Sequence, residues 1–205
     1  MNTKTVALAI TGASGVAYGL RLLEVLLAQR VRVQLVISNP GRIVIAEETD
    51  LRLPSKPQEI CSIFNTRFNA HPGDLQVYGR EDWFAPMASG SNPPDAMVIC
   101  PCTTGTLAEI AAGTSRSLIE RAADVALKEK RRLILLVRET PFSTIHLQNM
   151  LRLTEAGAVI MPANPGFYHR PQSIEDVVDY MVARVLDHLE LEHELMPRWG
   201  ANRLS

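Results

Sequence analysis

Arg138 and Glu139 follow the most apolar run in the chain, Leu133-Ile134-Leu135-Leu136-Val137, and Thr140-Pro141 closes the segment. The run reads as a strand buried on both faces. Two opposite charges at its end make a poor brace, because desolvating a buried pair costs about what its attraction returns. Ligands of parallel sheets bind at the carboxyl ends of strands. The pair therefore reads as part of a site.

Two further groups could meet such a ligand. Thr11-Gly12-Ala13-Ser14-Gly15 follows a first strand and opens a helix. Glycine lets backbone approach a ligand, and a helix N-terminus offers free N–H groups and a positive dipole end to a phosphate. Pro101-Cys102-Thr103-Thr104-Gly105-Thr106 is a second such junction, rich in hydroxyls. Ser38 ends the second strand, where a dinucleotide site would carry an acid for the ribose hydroxyl. No tyrosine begins a Tyr-x-x-x-Lys pattern. Both facts weigh against NAD(P), and Ser38 better suits a phosphate or a flavin. Cys100 and Cys102 lack a second pair for zinc and read as buried thiols.

The elements that would position these groups alternate. Strands are expected at Thr5–Ile10, Val31–Ile37, Asp95–Cys100, Leu133–Val137 and Ala158–Met161. Helices are expected at Val16–Arg30, from Ile43 to Glu48, at Thr106–Ala112, Leu118–Lys130, Ser143–Ala156 and Ser173–Leu191. Ser173 and Asp176 have the spacing of a capping box. Residues 50–94 are irregular, with a short strand or two expected within loops and room for a mobile lid. The alternation predicts an α/β protein, a Rossmann-like or flavodoxin-like three-layer fold with a mainly parallel sheet.

The 205 residues suit one domain, 1-205, with no internal linker. Hydrophobic residues at 46% and charged residues at 21% describe a globular chain. A net charge of −1 without a basic block argues against nucleic acid. No apolar run reaches the ~20 residues of a membrane span. No signal peptide is read at the N-terminus, and three cysteines suit a reducing cytoplasm.

The combination of Gly12-Ala13-Ser14-Gly15, Ser38, Pro101–Thr106, Arg121–Val125 with Lys128-Glu129, Val137–Phe142 and Tyr168 with Pro171 resembles the UbiX-type flavin prenyltransferases. These lie within the wider group of homo-oligomeric flavin-containing cysteine decarboxylases. The cysteine decarboxylases carry an Asn where Gly105 stands and a later Pro-x-Met-Asn segment that is absent here.

The resemblance implies that reduced FMN is the prenyl acceptor and that no metal is required. A dimethylallyl group from dimethylallyl monophosphate would be joined to N5 and then C6, giving the prenylated FMN used by UbiD-type decarboxylases. Gly12, Ala13, Ser14, Ser38, Thr103, Thr104, Gly105, Thr106 and Arg138 are the implied flavin contacts. Ser89, Arg121, Lys128, Tyr168 and Arg184 are implied around the phosphate, where fixed positive groups stabilise a departing anion. Arg121 and Lys128, seven positions apart, share a helix face. Glu139 is implied to handle protons near the phosphate, and Ser14 with Glu48 to relay the proton shed at N5. Trp199 is expected to fold over the prenyl group. A homo-oligomer, a dodecamer by resemblance, is expected, with the tail 191-205 extended over a neighbouring subunit and Arg184 serving a neighbour's site.

Two acidic or histidine-rich tracts receive a plain reading. Glu175 to Asp179 opens a capped helix, where acids suit the dipole. His188 and His193 are five apart, share no helix face and read as a solvated end. Two other functions compete on the same fold: a flavin-dependent cysteine decarboxylase, and a non-catalytic flavin-binding regulatory subunit.

Overall fold

Short apolar strands alternating with helices bury both kinds of element when the helices cover both faces of one parallel sheet. The computed structural model describes residues 3–198. Its elements are β1 (Thr5–Ile10), α1 (Val16–Ala28), β2 (Arg32–Ile37), α2 (Asn39–Glu48), α3 (Pro57–Arg67) and β3 (Leu75–Tyr78). After a 3-10 turn at Pro86–Ala88 come β4 (Ala96–Cys102), α4 (Thr104–Ala111), α5 (Leu118–Lys128), β5 (Arg132–Val137), α6 (Thr144–Glu155), β6 (Val159–Pro162) and α7 (Ile174–His188). The strands lie in the order β3-β2-β1-β4-β5-β6, and each of these pairings is parallel.

Alternate residues of the central strands feed two cores. Val6, Leu8 and Ile10 of β1, with Ile134 and Leu136 of β5, pack in the core shared by α1, α3 and α7. Ala7, Ala9, Leu133, Leu135 and Val137 pack in the core shared by α4, α5 and α6. Strand order reverses between β1 and β4, which opens a crevice beyond their carboxyl ends. Helix α1 lies very close to β4: a Cβ at Gly19 would stand 2.2 Å from the Cys100 carbonyl oxygen.

Three details differ from the expectation. Residues 50–94 contain a full helix, α3, and a single strand, β3. Pro57 occupies the first turn of α3, Glu59 and Arg67 suit its two dipole ends, and Ile60 and Phe64 bury one face. Helix α2 starts at Asn39, four residues early, because Ser38 accepts from the Gly41 N–H and Pro40 fits the first turn. The tail up to residue 198 folds onto its own chain. Leu191 and Leu195 pack on the core, and Gln29 Nε2 donates to the Glu192 carbonyl at 2.8 Å.

Candidate active site at the strand ends

Hydrogen bonds between neighbouring loops tie the strand ends together. Buried Thr11 donates from Oγ1 to the Pro101 carbonyl at 2.8 Å and accepts from the Thr103 N–H at 2.9 Å. Ser38 N–H donates to the Ile10 carbonyl at 3.0 Å, and Arg138 N–H to the Cys102 carbonyl at 3.2 Å. Four strand ends therefore form one rim. Close approach along it needs glycine: a Cβ at Gly12 would stand 2.4 Å from Pro40 Cβ, and one at Gly41 2.6 Å from the Ile10 carbonyl oxygen.

Helices α1, α2 and α4 all begin on this rim, so three positive dipole ends converge there. Thr103 caps α4 by accepting from Thr106 N–H at 3.1 Å, and Thr106 Oγ1 lies 3.0 Å from Thr103 Oγ1. The first N–H groups of α4, at Thr104 and Gly105, stay open as at any helix start. At α1 the position is different. Glu48 accepts from Gly15 N–H at 2.9 Å and from Val16 N–H at 3.0 Å. The carboxylate thus fills the anion position at the head of α1 and lies beside the exposed Ser14.

Arg138 and Glu139 both lie half-buried on this rim. No ion pair joins them among the described residues, which corrects the picture of a buried pair. Glu139 Oε1 accepts from Thr140 N–H at 3.1 Å. Arg138 Nε is buried without a hydrogen-bond partner. A buried guanidinium nitrogen left unpaired is costly in a finished protein, so this position is built for a ligand.

The phosphate candidates form two groups. Helix α5 delivers the chain to the start of β5, so Lys128 lies near the strand amino ends. There Leu127, Lys130 and Arg131 share a cleft with Lys4 and Asp95, at the beginnings of β1 and β4. Arg138 is a strand's length away, roughly 17 Å at 3.3 Å per residue. Arg121 donates from Nε to the Ala88 carbonyl at 3.0 Å and pairs with Asp124 at 2.7 Å. It thereby supports the Ser89–Ser91 turn, where the two hydroxyls meet at 2.9 Å. A Cβ at Gly90 would stand 2.6 Å from Lys128 Nζ, so this turn rests directly on the lysine. Lys128 also pairs with Glu129 and holds that carboxyl below its usual range.

Tyr168 and Arg184 form the second group. They line a cleft of about 780 Å³ together with Tyr180, Asp187, His193 and Arg198. The Tyr168 and Tyr180 hydroxyls lie 3.3 Å apart, and Tyr180 stacks on His169 at 5.4 Å. The Tyr168 hydroxyl, then the cost of burial, pushes the Tyr180 phenol up. Trp199 lies outside the described residues.

Three contributions escaped sequence reasoning. Thr11 reads as a turn residue, yet it joins β1 to β4. The tract Glu175 to Asp179 does hold a capping box at Asp176, but Asp179 pairs with Arg21 at 2.7 Å across to α1. His193 is not solvated: its side chain is 4% exposed and bonds to Asp187. A six-residue separation across a helix end gives no periodic signal for that contact.

Parallel strands in this order, with the open N-terminus of α4 beside the point where the order reverses and a buried, unpartnered Arg138 Nε at the end of β5, define a Rossmann-like α/β protein that binds a phosphorylated cofactor. The flavoprotein family matches residues 1–186. The flavin prenyltransferase UbiX of Pseudomonas aeruginosa is 54% identical over 199 residues, covering 97% of this chain and 95% of that protein. Among solved structures, AnUbiX (PadA1) in complex with FMN and dimethylallyl pyrophosphate is 40% identical, with a TM-score of 0.86 over 98% of this chain and 99% of that one. A dodecameric FMN-dependent UbiX-like decarboxylase from Escherichia coli O157:H7 is 37% identical, with a TM-score of 0.84 over 96% and 100%. The chain belongs to the flavoprotein family and, within it, to the flavin prenyltransferases.

Proposed function

We propose that this chain joins a dimethylallyl group from dimethylallyl monophosphate to N5 and C6 of reduced FMN. The observation that carries the reading is Arg138, with its buried, unpartnered Nε on the rim that also holds the open N-terminus of α4. A flavin phosphate suits the N–H groups of Thr104 and Gly105 and the loop Gly12–Ser14. The polar edge of the ring suits Arg138, and Ser38 and Thr103 to Thr106 frame the same crevice. When bound, reduced FMN supplies two nucleophilic centres, N5 and C6.

The chain's own residues supply the rest. Breaking the allylic C–O bond needs positive groups fixed on the phosphate before the charge develops. Ser89, on the turn that Arg121 supports, and Lys128 of α5, on which that turn rests, provide one such group; Arg184 and Tyr168 provide another. Glu139, next to Arg138, gives or takes protons at the phosphate. Glu48, at the head of α1, and Ser14, next to it in the loop, take the proton released at N5. Trp199 covers the prenyl chain.

Ser89 and Lys128 lie a strand's length from Arg138 in the same copy, so a neighbouring copy brings them to the rim. A homo-oligomer, a dodecamer like the Escherichia coli relative, satisfies this need. In it the single domain, 1-205, extends the end of its tail toward a neighbour. The enzyme works in the cytoplasm and passes its product to a UbiD-type decarboxylase. Among the described residues no helix is long and apolar enough to cross a membrane.

The test is transfer of activity. The protein is incubated anaerobically with reduced FMN and dimethylallyl monophosphate, in EDTA, and the filtrate is given to a cofactor-free UbiD-type decarboxylase. The decarboxylase should become active. A parallel arm with dimethylallyl pyrophosphate should give less. Failure of both arms, with FMN bound, would exclude the reading.

A further inference from the structure

Near the end of α7, Asp187 gathers three side chains. Its Oδ2 accepts from Arg184 Nη1 at 2.6 Å, one helical turn earlier. Its Oδ1 accepts from His193 Nε2 at 3.1 Å and lies 3.6 Å from Arg198 Nη1. An ionised carboxylate only accepts, so His193 carries a proton on Nε2. His193 Nδ1 is buried without a partner. All four residues line the cleft that also holds Tyr168 and Tyr180.

An exposed Arg–Asp pair at this spacing is usually an incidental surface contact. Two features set Asp187 apart. It is only 23% exposed, and it joins α7 to residues beyond the helix. A flexible arginine loses rotamer freedom when it grips an anion, and fixing it beforehand removes that loss from binding. Asp187 also draws on the charge of Arg184, but Arg198 shares the same carboxylate and leaves the cleft net positive. The hydrogen bond from His193 keeps Asp187 from turning toward solvent.

We propose that Asp187, held by His193, is the positioning residue for Arg184. It aims the guanidinium into the cleft before the prenyl phosphate arrives and anchors residues 193–198 beside it. The proposal rests on the reading of Arg184 as a phosphate ligand.

The experiment is a double-mutant cycle on the full-length oligomer with reduced FMN, varying dimethylallyl monophosphate. Asp187→Ala should raise KM for the prenyl phosphate about ten-fold while FMN affinity and kcat stay close to wild type. In an Arg184→Ala background, adding Asp187→Ala should raise KM no further. His193→Gln, whose amide can donate the same hydrogen bond, should keep KM near wild type, and His193→Ala should not. A merely structural role would lower the melting temperature without this split or this coupling. An unchanged KM in Asp187→Ala, or an undiminished effect in the Arg184→Ala background, overturns the proposal. Should Asp187→Ala fail to fold, Asp187→Asn decides in its place: a raised KM supports the proposal and an unchanged one overturns it. If Arg184→Ala itself leaves KM unchanged, the reading of Arg184 falls, and the proposal with it. A raised KM there, with Asp187→Ala silent, removes the proposal alone.

Discussion

Arg138 leaves its Nε free on the rim, while Glu139 turns its carboxylate onto the Thr140 N–H. Neighbours in sequence, they answer to different partners. A hydrogen bond from a charged group contributes about 1.5–3 kcal/mol. Arg138→Ala should therefore weaken FMN binding roughly 10- to 100-fold, read by titration of flavin fluorescence. Glu139→Ala should bind FMN as wild type but slow transfer about 10²- to 10⁴-fold, the usual range for a lost proton-transfer group. Equal effects of the two substitutions on binding would contradict the division. The rim itself was legible, because glycines and hydroxyls directly following apolar strands mark helix N-termini. The cap on α1 was not. Glu48 lies 33 residues from Gly15, and no local pattern announces a carboxylate that closes a distant helix.

At the scale of elements, strand–helix alternation and capping residues gave the parallel sheet and most boundaries directly. Helix α3 was hidden because its N-cap position, Lys56, offers no side-chain acceptor and most of its face is polar. Strand β4 runs to Cys102 through Pro101, a residue that ordinarily ends a strand. Close packing makes its own prediction. At Gly19 the obstacle is backbone, the Cys100 carbonyl, rather than a movable side-chain tip. Gly19→Ala should destabilise the fold by about 1–3 kcal/mol despite the better helix propensity of alanine, read by urea unfolding. Cys100 and Cys102, on the same strand, are fully buried, and burial pushes both thiols well up. Unfolded thiols ionise near about pH 8.5. Below that pH both states hold the protons; above it the unfolded state sheds them and the folded state does not. Stability should therefore fall as pH rises past about 9, and less steeply in Cys102→Ala. An equal slope in both proteins would show that Cys102 does not contribute.

As a whole molecule, the single chain leaves large apolar side chains uncovered. Phe84 is 100% exposed and Ile174 77%, and α6 presents Ile145, Leu147 and Leu151. Such patches ordinarily mark contact surfaces. They fit the partner that the proposed phosphate role of Lys128 calls for, given its distance from the Arg138 rim. Mixed assembly tests that need: two inactive proteins, Lys128→Ala and Glu139→Ala, unfolded and refolded together, should recover part of the wild-type rate. No recovery in verified mixed oligomers would place all these groups in one copy's site. Prenyl transfer leaves its mark on the flavin itself. The most direct measurement is the mass of the flavin extracted after anaerobic incubation with reduced FMN and dimethylallyl monophosphate. A flavin heavier by one five-carbon prenyl unit is the predicted result; recovery of unaltered FMN from correctly assembled protein would contradict it.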